Sequence, residues 1–297
     1  MTRTDNNKPW TMRHGFAIAA ALVAAGLVLQ ATCGPVRWQT LAWPVNIIVL
    51  AAYVATIAAA RLMAPRWRPL RFLTTLAAAV PAIGAAVVLT MVMGLTPQTA
   101  DGSWFSSMLT FWPFVVIYAY MALILGLVTA KRLGRKPRLA DVAFVLNHAG
   151  LALAIVAATL GAPDMRRLKM IATLDAPESR AMDEQRRIVT LPISVELKRF
   201  IMETYADGSP RRFASDLVIR SASGQEAAAT VDVNHPVRLG GWKIYQSGYD
   251  TAAGADSRFT ILELVRDPWQ PAVYAGIFMM LAGALLMLFM PTPKTHS

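Results

Sequence analysis

DVAFVLNHAGLALAIVAATLG (residues 141–161) runs directly into APDMRRLKM (residues 162–170), and the change of character at that junction decides the fold. The first stretch is long enough for a helix to cross the hydrocarbon core of a bilayer, which takes about 20 apolar residues at about 1.5 Å rise each. Five further runs of this kind lie at about 14–32, 42–62, 70–93, 106–129 and 270–290. The polar stretch 162–267 holds 15 Lys and Arg against 15 Asp and Glu, whereas the rest of the chain holds 14 basic and 3 acidic residues. Only 16% of the whole is charged, against about a quarter in soluble domains. The reading is a membrane α-helical protein of about six transmembrane helices, with a small extracytoplasmic antiparallel β domain between spans five and six. Its parts are a five-span region at 1–161, the inserted domain at 162–267, and a final span with a tail at 268–297.

The basic residues set the orientation. With the N-terminus inside, 13 of the 14 basic residues outside the polar stretch fall in cytoplasmic segments, and only Arg37 falls outside. Because short loops follow the positive-inside rule, both termini are expected in the cytoplasm of a cell with the chain in its inner membrane. Arg166, Arg167 and Lys169 run against that rule, which long translocated domains escape. Spread over loops in this way, the net charge of +11 does not make a nucleic-acid patch. The first run competes with a signal-peptide reading, but its length favours a span. Cys33 is the single cysteine, so an internal disulfide and a CxxC pair are excluded, and it reads as an unmodified thiol at a span end. Trp38, Trp43, Trp104, Trp112 and Trp269 sit near span ends, as an interfacial belt requires. Pro81 predicts a kink in span three.

Inside the polar stretch, residues 162–186 read as a helical connector. From Arg187 the pattern alternates: Ile193, Val195 and Leu197 share a face, which is strand-like. Residues 216–220, 229–233, 242–246 and 258–265 read as further strands, with turns at 221–226 and at Gly240-Gly241. No catalytic constellation is present, so the domain reads as a binding or scaffolding module.

The segment Val233-Asn234-His235-Pro236-Val237-Arg238-Leu239-Gly240-Gly241-Trp242-Lys243-Ile244-Tyr245-Gln246-Ser247-Gly248-Tyr249-Asp250 resembles the signature of the ResB-like family of system II cytochrome c biogenesis. Leu197–Phe200, Tyr205–Pro210 and Ser215–Leu217 resemble its upstream half, and Asp267-Pro268 its exit into the last span. The resemblance covers about 141–290, and four spans before 141 depart from the family's usual layout. It implies a subunit, not catalytic by itself, of a membrane complex that moves or presents haem for attachment to apocytochrome c. It also implies a separate ResC/CcsA-like, tryptophan-rich partner. Asn234, Pro236, Gly240, Gly241, Tyr245 and Gln246 are its motif and partner-contact residues. The alternative is a structural or sensory membrane protein whose β domain binds a periplasmic partner without haem.

The histidines are the candidate cofactor residues. His148 lies at membrane depth in span five, where a polar group is a functional candidate by default. Neutral imidazole suits haem iron, and Gly150 nearby permits close approach of a flat macrocycle or of another helix. An interhelical hydrogen bond beside Asn147 is the structural alternative. His14 begins span one at the same cytoplasmic end and is a weaker candidate ligand, and so is His235 in the outer motif. His296 reads as inert. No metal beyond haem iron is expected.

Overall fold

The computed structural model describes residues 10–64, 66–99, 104–133 and 138–289. Arg3, Lys8, Arg135, Lys136, Lys294 and His296 lie outside the described residues. The chain divides into two compact units, Met1–Pro163 with Trp269–Ser297, and Asp164–Pro268.

The first unit is helical: α1 Met12–Cys33, α2 Val45–Met63, α3 Arg68–Phe72, α4 Leu76–Leu95, α5 Trp112–Leu133, α6 Leu139–Gly161 and α7 Gln270–Leu288. Among the described residues, six helices are long and apolar enough to cross a membrane, all of these except the short α3. They turn Leu76, Val88, Phe278 and Leu285 outward, an apolar exterior that a bundle in water would bury. Inside, the helices meet through small residues. A Cβ on Gly150 of α6 would stand 2.6 Å from the Gly276 carbonyl oxygen of α7, and a Cβ on Gly276 would stand 2.6 Å from that of Gly150. Only two glycines allow backbones so close. The contact joins the two helices that precede and follow the polar stretch in sequence. α4 continues through Pro81, which has no N–H to give to Ala77. The Ala77 carbonyl, so released, lies where a Cβ on Gly15 of α1 would stand.

The second unit is one antiparallel sheet of eight strands: β1 Arg166–Thr173, β2 Glu178–Met182, β3 Ile188–Thr204, β4 Pro210–Ser221, β5 Glu226–Asp232, β6 Val237–Leu239, β7 Trp242–Tyr249 and β8 Phe259–Arg266. Their order across the sheet is β5-β4-β3-β2-β1-β8-β7-β6. The strands expected from alternation fall in β3, β4, β5, β7 and β8. The expected helical connector at 162–186 is corrected: it forms β1 and β2. Leu168, Met170 and Ala172 alternate into the core while Arg167, Lys169 and Ile171 face out, and β1 pairs with β8 from Arg166↔Arg266 to Thr173↔Phe259. Of the four outward positions from Arg167 to Thr173 two are basic and one is threonine, which makes a short period-2 strand look like polar connector.

Ser215 of β4 hydrogen-bonds Gln246 of β7 at 2.8 Å, although four strands separate β4 from β7 in the sheet order. The sheet must therefore curl on itself, with Val195, Leu197, Ile219, Ile244, Leu262 and Leu264 buried on its concave face.

Candidate functional site

In the helical unit a cleft of about 540 Å³ opens among α4, α5, α6 and α7. That is within the range of about 300–1,000 Å³ usual for small-molecule sites. Its walls are apolar, with Leu76 and Ile83 from α4, Leu125 from α5, Leu151 from α6 and Met280 from α7. Its polar groups are Thr74, Thr75, Lys131, Arg132, Asn147 and His148.

His148 is half-buried in this lining. Its Nδ1 lies 3.0 Å from the Phe144 carbonyl oxygen one helical turn earlier. A carbonyl cannot donate, so Nδ1 carries the proton and donates it. In the neutral ring Nε2 is then the nitrogen that keeps a lone pair, the tautomer in which an imidazole ligates a metal. The ring is held by stacking on Phe144, with centroids 3.8 Å apart and planes within 16°. No contact to another helix is needed to fix it. The interhelical role belongs instead to Asn147, which donates to Ala143 at 3.0 Å and reaches Met287 of α7 at 3.8 Å. Gly150 faces α7 rather than the cleft, so its close approach serves a helix.

Two cations end α5 at the cleft. The Arg132 guanidinium lies 2.6 Å from Asp141 of α6 and 4.6 Å from the Phe144 ring centroid. Lys131 donates to the Thr74 hydroxyl at 2.9 Å. In the sequence both stand out only as markers of sidedness. A signal was available: they end the span paired with the one that carries His148.

His14 is elsewhere. Its Nδ1 accepts the Thr11 N–H at 3.0 Å, at the start of α1, and its ring stacks near Trp10 at 5.7 Å. It does not line the cleft, so the structure does not bring it together with His148 there.

The outer motif is built in the β unit. Gly240 (φ +57°) and Gly241 (φ +80°) form a two-residue hairpin between β6 and β7, with Leu239 paired to Trp242. Left-handed backbone at both positions is what such a turn needs and what glycine supplies freely. Asn234 and His235 are exposed in the turn that joins β5 to β6, closed by mutual backbone bonds of Asp232 and His235 at 3.3 and 3.4 Å, and Pro236 follows. The Arg212 guanidinium beside Asp232 holds its carboxyl below the usual range. Tyr245 is half-buried opposite Glu263 of β8. Gln246 is buried: it donates to the Gly248 carbonyl at 2.9 Å and to the Thr260 hydroxyl at 2.7 Å, and accepts from Ser215 at 2.8 Å. That side chain is spent inside the sheet. Most of the outer charges are paired, as with Arg220 between Glu196 and Glu226, at 3.0 Å from each. Arg180 draws Glu178 down to about 2.

Residues 128–257 match the model of the ResB-like family. The chain is 32% identical over 109 residues to a cytochrome c biogenesis protein CcsB of Synechococcus sp. (strain CC9311), covering 37% of this chain and 24% of that protein. It is 38% identical over 60 residues to cytochrome c biogenesis protein CCS1, chloroplastic, of Arabidopsis thaliana, covering 20% of this chain and 11% of that one. The matched part thus spans about a quarter or less of the length of these relatives. Among solved structures, cytochrome c heme lyase CcmF aligns at a TM-score of 0.40 and 14% identity, over 95% of this chain and 46% of that one.

Proposed function

From the premise that residues 128–257 make this chain ResB-like, we propose that it is a multi-pass membrane subunit of a cytochrome c assembly complex and presents haem for attachment. The names of the curated relatives support the pathway. The observation that carries the haem step is His148, with Nδ1 committed to the Phe144 carbonyl and Nε2 left to ligate, in the lining of an apolar cleft. The residues fit the group: an apolar enclosure, one imidazole of fixed tautomer, and cations at one end. Bound haem would supply iron for that imidazole and, later, the vinyl groups to be joined to apocytochrome c. This chain's part is to hold and orient it, and the joining falls to a tryptophan-rich ResC/CcsA-like partner. In this reading residues 1–161 and 268–297 are the membrane region, with both termini in the cytoplasm, and residues 162–267 lie outside.

The test is the visible spectrum of the purified full chain loaded with haem, compared with His148→Ala and His148→Gly. A Soret band of histidine-ligated haem is expected in the unaltered chain. It should be lost in His148→Ala, and imidazole should restore it in His148→Gly. An unchanged spectrum in His148→Ala overturns the assignment and leaves the structural reading, in which the β unit binds a partner without haem.

A further inference from the structure

The two cations at the mouth of the cleft are not equivalent. Arg132 already has a counter-ion in Asp141 at 2.6 Å, and the pair is partly shielded, with 14% of the aspartate side chain exposed. Lys131 is exposed at the end of the cleft, donates to the neutral Thr74 hydroxyl at 2.9 Å, and among the described residues makes no ion pair. A neutral hydroxyl orients an ammonium group without balancing its charge. Part of the explanation is local, since a cation in the last turn of α5 suits the negative end of the helix. That accounts for a basic residue in the turn; the cleft adds that this one lines its end with the ammonium group open to an anionic ligand.

The polarity inside the cleft is graded. Lys131, Arg132, Thr74 and Thr75 mark one end, and Leu76, Ile83, Leu125, Leu151 and Met280 form the walls, with His148 among them. An occupant that satisfies all of these groups has an anionic end, an apolar body and a metal able to take Nε2. A phospholipid would satisfy the first two and leave the imidazole unused. We propose that Lys131 is the head-group contact of this cleft and receives the carboxylates of a porphyrin dicarboxylate, so that the macrocycle enters in one orientation. The proposal deepens the haem reading above and rests on it. It adds a residue, a charge requirement and a direction that ligation by His148 does not demand.

A metal-free probe separates the two claims. The purified full chain in neutral detergent is titrated with protoporphyrin IX and with its dimethyl ester, and binding is followed by porphyrin fluorescence anisotropy. Neither probe has iron, so His148 ligation contributes nothing to the signal. The free acid should bind about tenfold or more tightly than the diester, the size of one charge-assisted contact. Lys131→Met should remove the difference and Lys131→Arg should keep it, the latter also showing that the site survives substitution. Equal affinity for acid and diester in the unaltered chain overturns the proposal, as does a preference that persists in Lys131→Met. Failure of both porphyrins to bind also overturns it, and so does displacement of the acid by equimolar phosphatidic acid, which would make the cleft a lipid site. A Soret band absent from the unaltered chain, or unchanged in His148→Ala, with the acid preference intact, would instead refute ligation by His148 alone.

Discussion

Replacing Gln246 with leucine separates a contact residue from a structural one, and the structure gives the size of the effect. Gln246 Nε2 donates to Gly248 O at 2.9 Å and to Thr260 Oγ1 at 2.7 Å, while Oε1 accepts from Ser215 at 2.8 Å and from Thr260 at 3.0 Å. Leucine has nearly the same volume but removes both functions. Ser215 and Thr260 can then keep each other at 3.0 Å, and the Thr260 hydroxyl can turn to Gly248 O, now at 3.3 Å. About two buried hydrogen bonds are lost outright, at about 1 kcal/mol each, so Gln246→Leu should cost about 2 kcal/mol. The assay is hydrogen exchange of β7 and β8 peptides in the full chain, where that cost raises the opening constant by about 30-fold. The triple variant Gln246→Leu, Ser215→Ala, Thr260→Val replaces the whole buried polar cluster with apolar groups of similar shape and should recover to within about 1 kcal/mol of the unaltered chain. The reasoning fails if Gln246→Leu leaves exchange unchanged, or if the triple variant is less protected than the single one. Unchanged exchange together with impaired cytochrome c assembly would make Gln246 a partner contact after all.

Two further outcomes test the membrane half. Cys33 is exposed at the end of α1, so with the N-terminus inside it should react in intact cells with a maleimide that cannot cross the membrane, and protection there with labelling after lysis reverses the orientation. Gly276→Leu would drive a side chain into the Gly150 carbonyl oxygen, 2.6 Å from the first added carbon, and should separate α6 from α7. The expected reading is a thermal midpoint lower by several degrees and faster exchange in both helices, whereas Gly84→Leu, where a Cβ meets open space, should change neither.

Much of this architecture follows from patterns that a sequence carries locally. A run of about 20 apolar residues is visible wherever it occurs, because the bilayer imposes the length. The Gly240-Gly241 turn is legible for the same kind of reason, since left-handed backbone at two successive positions leaves few choices of residue. β1 was not legible, because its alternation lasts eight residues and its outward side carries Arg167 and Lys169. What identified it is its pairing with β8, nearly a hundred positions away. Gln246 shows the same limit from the other side. Motif position marks it as important, and only the curl of the sheet, which brings Ser215 of β4 against β7, says that the importance is internal.

The cleft combines the two cases. His148 is conspicuous in sequence because a polar side chain at membrane depth is costly, but its two plausible duties, ligand and interhelical bond, are identical at that level. Geometry distributes them: Asn147 and Gly150 serve α7, and His148 donates within its own helix. Lys131 and Arg132 are alike in sequence as marks of sidedness, and Asp141 makes them different by neutralising one. The uncompensated charge at the mouth and the free imidazole nitrogen belong to the same cleft, and a ligand with a carboxylate end and a metal centre answers both.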